Sequence, residues 1–133
     1  MSNVFSRRTL GTGLVLALGI VLLSFAGGAS AGAVDCRVVA DPPTLYAGMV
    51  FADGRVECTA PVNRIRITVA LEKDGVEVAR QTRNDCRKRT VCHNSTTNVL
   101  DQPGNQVWCS RAWGWAQGTY LGEVVACEEH LEF

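Results

Sequence analysis

Six cysteines, Cys36, Cys58, Cys86, Cys92, Cys109 and Cys127, are the residues in this 133-residue chain best suited to do chemistry. Thiols at such spacings either ligate a metal or oxidise in pairs. No Cys-x-x-Cys knuckle is present, so zinc is not expected and cystines are. An even set suits an oxidising compartment.

Six thiols allow many pairings, and spacing leans towards the sequential one. Cys86 and Cys92 enclose Arg87, Lys88, Arg89, Thr90 and Val91. Cys109 and Cys127 lie symmetrically about Gly118, and Cys36 and Cys58 about Ala47, so a hairpin turning at each midpoint would bring each pair together. The expected set is therefore Cys36–Cys58, Cys86–Cys92 and Cys109–Cys127. Its rival is a sheet-to-sheet bridge from Cys58 to Cys109.

Catalytic chemistry is thinly represented. His93 and His130 are the two histidines. A His-carboxylate or Ser-His-Asp set is allowed by composition, yet there is no nucleophile elbow, HExxH or glycine-rich phosphate loop. His93 falls in a polar stretch with Asn94, Ser95, Thr96 and Thr97, and His130 stands near the chain end, so both read as ordinary exposed histidines. Glu123, Glu128, Glu129 and Glu132 could supply paired carboxylates, but a small domain without long loops offers a poor cleft, and a solvated strand face and tail is the simpler reading. Asn94-Ser95-Thr96 is a formal glycosylation sequon.

Binding chemistry is better represented, in two groups. Trp113 and Trp115 share one face of an extended segment, and Trp108 has the opposite parity. Facing outward, that pair would make a platform for stacking sugar rings or anchoring a protein. Filling the core beside the cystines is the favoured expectation, because exposed aromatic pairs are uncommon on monomers. The second group is the basic segment with Arg80, Arg83, Arg87, Lys88 and Arg89. Tied by a Cys86–Cys92 bridge, residues 87–89 would be a stiff protruding loop able to dock on an anionic surface such as teichoic acid, a phospholipid headgroup or an acidic protein. The same loop could enter the acidic pocket of a trypsin-like protease, although five residues make a cramped inhibitor.

The elements that must position these groups read as strands. Residues 64–72 alternate, with Ile65, Ile67, Val69 and Leu71 on one face and Arg64, Arg66, Thr68, Ala70 and Glu72 on the other, wet one. Asp74-Gly75 then supplies the two left-handed positions of a type I′ turn. Closing it pairs Lys73 with Val76, Leu71 with Val78 and Val69 with Arg80, which places both valines on the buried face, and sets Glu72 against Glu77 at a small like-charge cost. Further strands are expected at residues 49–59, with Gly54 a candidate bulge, at 106–116 and 120–128, within 96–100, and as a short edge at 38–40 before Pro42-Pro43. Six or seven short strands imply an all-β, small antiparallel β-sandwich, immunoglobulin-like in architecture. No tryptophan falls midway between sandwich cysteines and Val107 holds the tyrosine-corner position, so the family signature itself is missing.

Ahead of the cysteines, Arg7 and Arg8 precede an uncharged apolar run that ends in small residues, which is the pattern of a secretory signal peptide cleaved after Ala31 or Ala33. Residues 1–33 are thus a leader and 34–133 a single secreted domain. The Arg7-Arg8 pair also suits twin-arginine export, but a strongly apolar run and a need for disulfides favour the general route. An uncleaved membrane anchor is the minority reading. Composition inclines towards a high-GC bacterium.

Of 13 basic residues, loss of Arg7 and Arg8 leaves 11 against 13 acidic ones, a surplus of the wrong sign for nonspecific nucleic-acid binding. No cofactor or metal is expected. The expectation is a secreted, non-enzymatic module that binds an extracellular or cell-surface partner through Arg87, Lys88, Arg89, Trp113 and Trp115. The alternatives are an inhibitor of a trypsin-like protease and a small secreted hydrolase using His93.

Overall fold

Ile65, Ile67, Val69 and Leu71 fall on one side of an extended chain, and all four are fully buried. Their strand is central to a computed structural model that describes residues 33–130. Residues 1–32 of the expected leader, with the cleavage point after Ala31 and the anchor alternative, and Glu132 lie outside the described residues.

The elements are β1 (Cys36–Tyr46), β2 (Met49–Val62), β3 (Ile65–Lys73), β4 (Val76–Cys86), β5 (Arg89–Ser95), β6 (Val99–Leu100), β7 (Gln106–Ala116) and β8 (Thr119–His130). All pairings are antiparallel. Sheet I runs β1-β2-β5 with β6 on β2, and sheet II runs β4-β3-β7-β8. The protein is all-β, two sheets in a sandwich-like arrangement with three disulfides, and the eight described strands include several longer than the short ones expected.

The sheets share one core, with Val38, Val50 and Val56 from sheet I meeting Ile67, Leu71 and Trp108 from sheet II. They touch closely where side chains are smallest. A Cβ on Gly54 would sit 2.9 Å from Ala112 Cβ, and one on Gly114 would sit 2.8 Å from Val56 Cγ2 and 2.9 Å from the Arg66 carbonyl oxygen. Gly54 is therefore a contact point and not the expected bulge, and its register with Ala40 and Asn94 is unbroken. The break in β1 falls between Asp41 and Thr44, at Pro42 and Pro43, whose nitrogens carry no hydrogen to pair. The edge strand continues past it to Tyr46.

The Asp74-Gly75 turn forms with both residues left-handed, and Lys73 pairs with Val76 and Glu72 with Glu77. Beyond them the register slips: Leu71 faces Ala79 and Val69 faces Gln81, not Val78 and Arg80. Val76 and Val78 are 64% and 40% exposed: the slip leaves Val78 opposite no residue of β3, and an edge strand tolerates such a bulge. The outward face of β3 is also less wet than its residues suggest. Thr68 and Ala70 are buried there, Thr68 Oγ1 lying 2.8 Å from Thr82 Oγ1.

Two cystines join neighbouring strands of one sheet, Cys36–Cys58 across β1 and β2 and Cys109–Cys127 across β7 and β8. The third, Cys86–Cys92, crosses from β4 to β5 and so from sheet to sheet, with both cysteines buried. The residues between them do not form a protruding loop. Both cysteines point inward and draw the segment onto the body: Arg89 already begins β5, and only residues 87–88 link the strands. Lys88 is left-handed there, and its amide donates to the Asn63 carbonyl. Side chains reinforce this seam. Asn94 Nδ2 donates to the Gln81 carbonyl at 2.7 Å, and Arg83 Nη1 to the His93 carbonyl at 3.0 Å, so the sequon's amide nitrogen is engaged within the fold.

Candidate functional site

Strand β7 sorts its side chains by size. Trp108, Ser110, Ala112, Gly114 and Ala116 turn inward and are buried, while Arg111, Trp113 and Trp115 turn outward and are half-buried. The tryptophan pair is thus not in the core, as expected, but on the outer face of sheet II. Small inward residues let the sheets meet, and bulk is displaced to the other side.

Nor are the two indoles an open platform. Trp113 lies between Thr68 and Glu123 in the neighbouring strands, and the Arg80 guanidinium carbon stands 5.0 Å from its ring centre. Trp115 lies between Arg66 and Tyr120, with the Arg66 guanidinium at 4.5 Å and the Tyr120 ring at 5.2 Å, tilted by 50°. Each ring carries a guanidinium group, the favourable placement of a cation on a π face.

These arginines differ in what else they bind. Arg80 Nε is 2.8 Å from Glu77, and Arg111 places Nη2 2.7 Å from Glu72 and Nε 3.9 Å from Glu123. Arg64 and Arg66 form no ion pair among the described residues. They border a pocket of about 220 Å³ together with Trp115, Gln117 and Gly118. Gln117 and Gly118 are left-handed turn residues, and the Gln117 amide donates to the Arg64 carbonyl, which fixes the turn against β3.

The basic connection belongs to the same end of the molecule. Cys86 pairs with Ile65, Arg89 with Val62, and Lys88 is hydrogen-bonded to Asn63. Arg87, Lys88 and Arg89 are exposed and lie alongside Arg64 and Arg66 in the backbone. The nearby Asp85 is already engaged by Arg83 at 2.7 Å, which holds its carboxyl below the usual range. The expected basic and aromatic groups thus meet at one place, through Trp115, while Trp113 sits one rank away beneath Arg80. In the sequence Arg64 and Arg66 read as a wet strand face; the Gln117-Gly118 turn, which folds β7 and β8 back beside residue 64, is the signal that could have added them.

The histidine expected in a polar loop is in β5. His93 is exposed opposite Arg55, and its side chain makes no hydrogen bond or ion pair among the described residues. The candidate carboxylates diverge: Glu123 pairs with Trp113 on the outer face, Glu128 with Trp108 on the inner one, and Glu129 with Val107. Among the described residues no three metal-ligating side chains converge. No protein-family profile, curated protein or solved structure matches the chain.

Proposed function

We propose that the chain is a secreted, non-enzymatic binding module of immunoglobulin-like architecture, delivered by residues 1–33, whose basic end captures an anionic polymer at a cell surface. The observation that carries this reading is the pairing of two unneutralised guanidinium groups, Arg64 and Arg66, around the Trp115 pocket, with Arg87, Lys88 and Arg89 beside them. A guanidinium is a planar fork matched to phosphate or carboxylate oxygens, and stacking on Trp115 holds that of Arg66 in place before a ligand arrives. A pocket of about 220 Å³ admits one such group, and the neighbouring cations attract the next along a chain.

The protease-inhibitor alternative lacks an extended loop to rest on, since Lys88 is left-handed and Arg89 is in a strand. The hydrolase alternative rests on His93 alone. The test is retention of the exported protein on immobilised teichoic acid, with a neutral glucan as control. Arg64→Ser with Arg66→Ser, and separately the triple Ser replacement of Arg87, Lys88 and Arg89, should each weaken retention about tenfold or more, and added salt should release the unmodified protein. Equal retention by all three proteins would reject the basic end as the binding surface.

A further inference from the structure

The end of the molecule remote from Arg64 has a second cleft of opposite character. Where β1 loses register at Pro42 and Pro43, a space of about 470 Å³ opens, within the range of small-molecule sites. Its lining is mixed: Pro42, Pro43 and Leu45 of β1, Val50 of β2 and Trp108 of β7 contribute apolar side chains, Thr44 of β1 a hydroxyl, and Glu128 of β8 is the charged residue. Glu128 shares the sheet face of its partner Trp108, is exposed at the mouth of the cleft, and forms no ion pair among the described residues. The cation nearest in rank is Lys73, which pairs with Trp108 from the other side. Its ammonium lies 5.7 Å from the indole centre and donates to Gln102 Oε1 at 2.7 Å, so it is held by Gln102 and not by Glu128. The Trp108 indole nitrogen is itself buried without a hydrogen-bond partner among the described residues.

We propose that this cleft is a binding site for a small apolar molecule carrying an ammonium group. The Pro43, Val50 and Trp108 side chains in that lining favour a short hydrocarbon body by removing it from water. The Glu128 carboxylate, exposed at the mouth of the cleft, attracts a cation and repels an anion, so it favours an ammonium over a neutral or anionic head group. Two prolines fix the backbone of the β1 wall, so little ordering cost attends binding. The site is chemically the reverse of the Arg64/Arg66 pocket and takes a ligand of opposite charge, so it stands or falls separately from the anion-binding reading.

The test uses the exported protein, labelled with nitrogen-15 and titrated with hexylammonium, hexanol and hexanoate. Trp113→Phe and Trp115→Phe variants assign the three indole N–H signals. Hexylammonium is expected to shift the Trp108 signal and to leave those of Trp113 and Trp115 in place, with affinity about tenfold above that of hexanol and further above hexanoate. Glu128→Gln should bring hexylammonium down to the level of hexanol. Thr44→Lys, which places an ammonium of the protein's own at the exposed rim of the cleft, should abolish the preference even if the first variant folds poorly. An unmoved Trp108 signal, equal affinity for the alcohol, or a preference that survives in a folded Glu128→Gln or Thr44→Lys protein would overturn the proposal.

Discussion

Gly114 separates Trp113 from Trp115 because no side chain fits where its hydrogen points. A Cβ there would be 2.9 Å from the Arg66 carbonyl oxygen, which is backbone and cannot swing aside, and 2.8 Å from Val56. Gly114→Ala should therefore destabilise the protein by about 1–3 kcal/mol through overpacking, read as a lower urea midpoint at unchanged slope. A variant as stable as the parent would mean that the sheets are free to separate at this point. The same residue explains what was hard to read in advance. The alternation of β7 is plain in the chain, but alternation does not say which parity faces in. Large aromatic residues ordinarily mark the core side; here Ser110, Ala112 and Gly114 mark it, because the opposing sheet presents Gly54 and Val56 within touching distance.

Among the elements, the cystines do unequal work. Cys86–Cys92 closes a separation of 6 residues and Cys109–Cys127 one of 18, and chain entropy alone assigns each about 2–3 kcal/mol with the longer loop ahead. Burial reverses that order. Cys86 and Cys92 are each 1% exposed and join the sheets, whereas Cys127 is exposed on an outer face. Replacing Cys86 and Cys92 by Ala should thus lower the denaturant midpoint further than replacing Cys109 and Cys127. The opposite order would show that loop length decides. Legibility followed local pattern: β7 ends where the Gln117-Gly118 turn begins, and the Asp74-Gly75 turn is evident from its two residues. The bulge after Glu77 was not legible, since the alternation of β3 and the Asp74-Gly75 turn both fit an unbroken register. Strand β5 was not either, because Arg89 to Ser95 carries no apolar alternation and is held in place by its partners in β2 and by Cys92.

Across the whole molecule, a formal charge of zero conceals a division. Arg64, Arg66 and residues 87–89 gather at one end without a carboxylate among them, whereas at the other Lys73 stands with Asp74 and Glu128, an arrangement that counting charges does not reveal and strand register does. On sheet I the charges instead neutralise one another: Arg55 bridges Asp41 and Glu57 at 2.7 Å each, and Arg37 meets Glu57 at 2.8 Å. Hydrogen bonds from Arg55 and then Arg37 hold the Glu57 carboxyl below its ordinary value. A carboxyl depressed in the folded state adds stability above its unfolded value, and that stability is lost as pH falls through the folded one. Urea midpoints should therefore decline from about pH 5 downward, and a Glu57→Gln variant, less stable at neutral pH, should decline less. Parallel curves would remove Glu57 as a cause.

The seam of Cys86–Cys92, Asn94 and Arg83 joins β4 to β5 along one side, whereas no hydrogen bond, ion pair or disulfide joins β1 to β8 among the described residues. The two sheets are therefore linked by bonds along β4 and β5, and by side-chain packing alone where β1 lies against β8. Pro42 and Glu128 both line the cleft on that packed side, so a guest held there lies where neither a covalent link nor a ladder bond ties sheet to sheet.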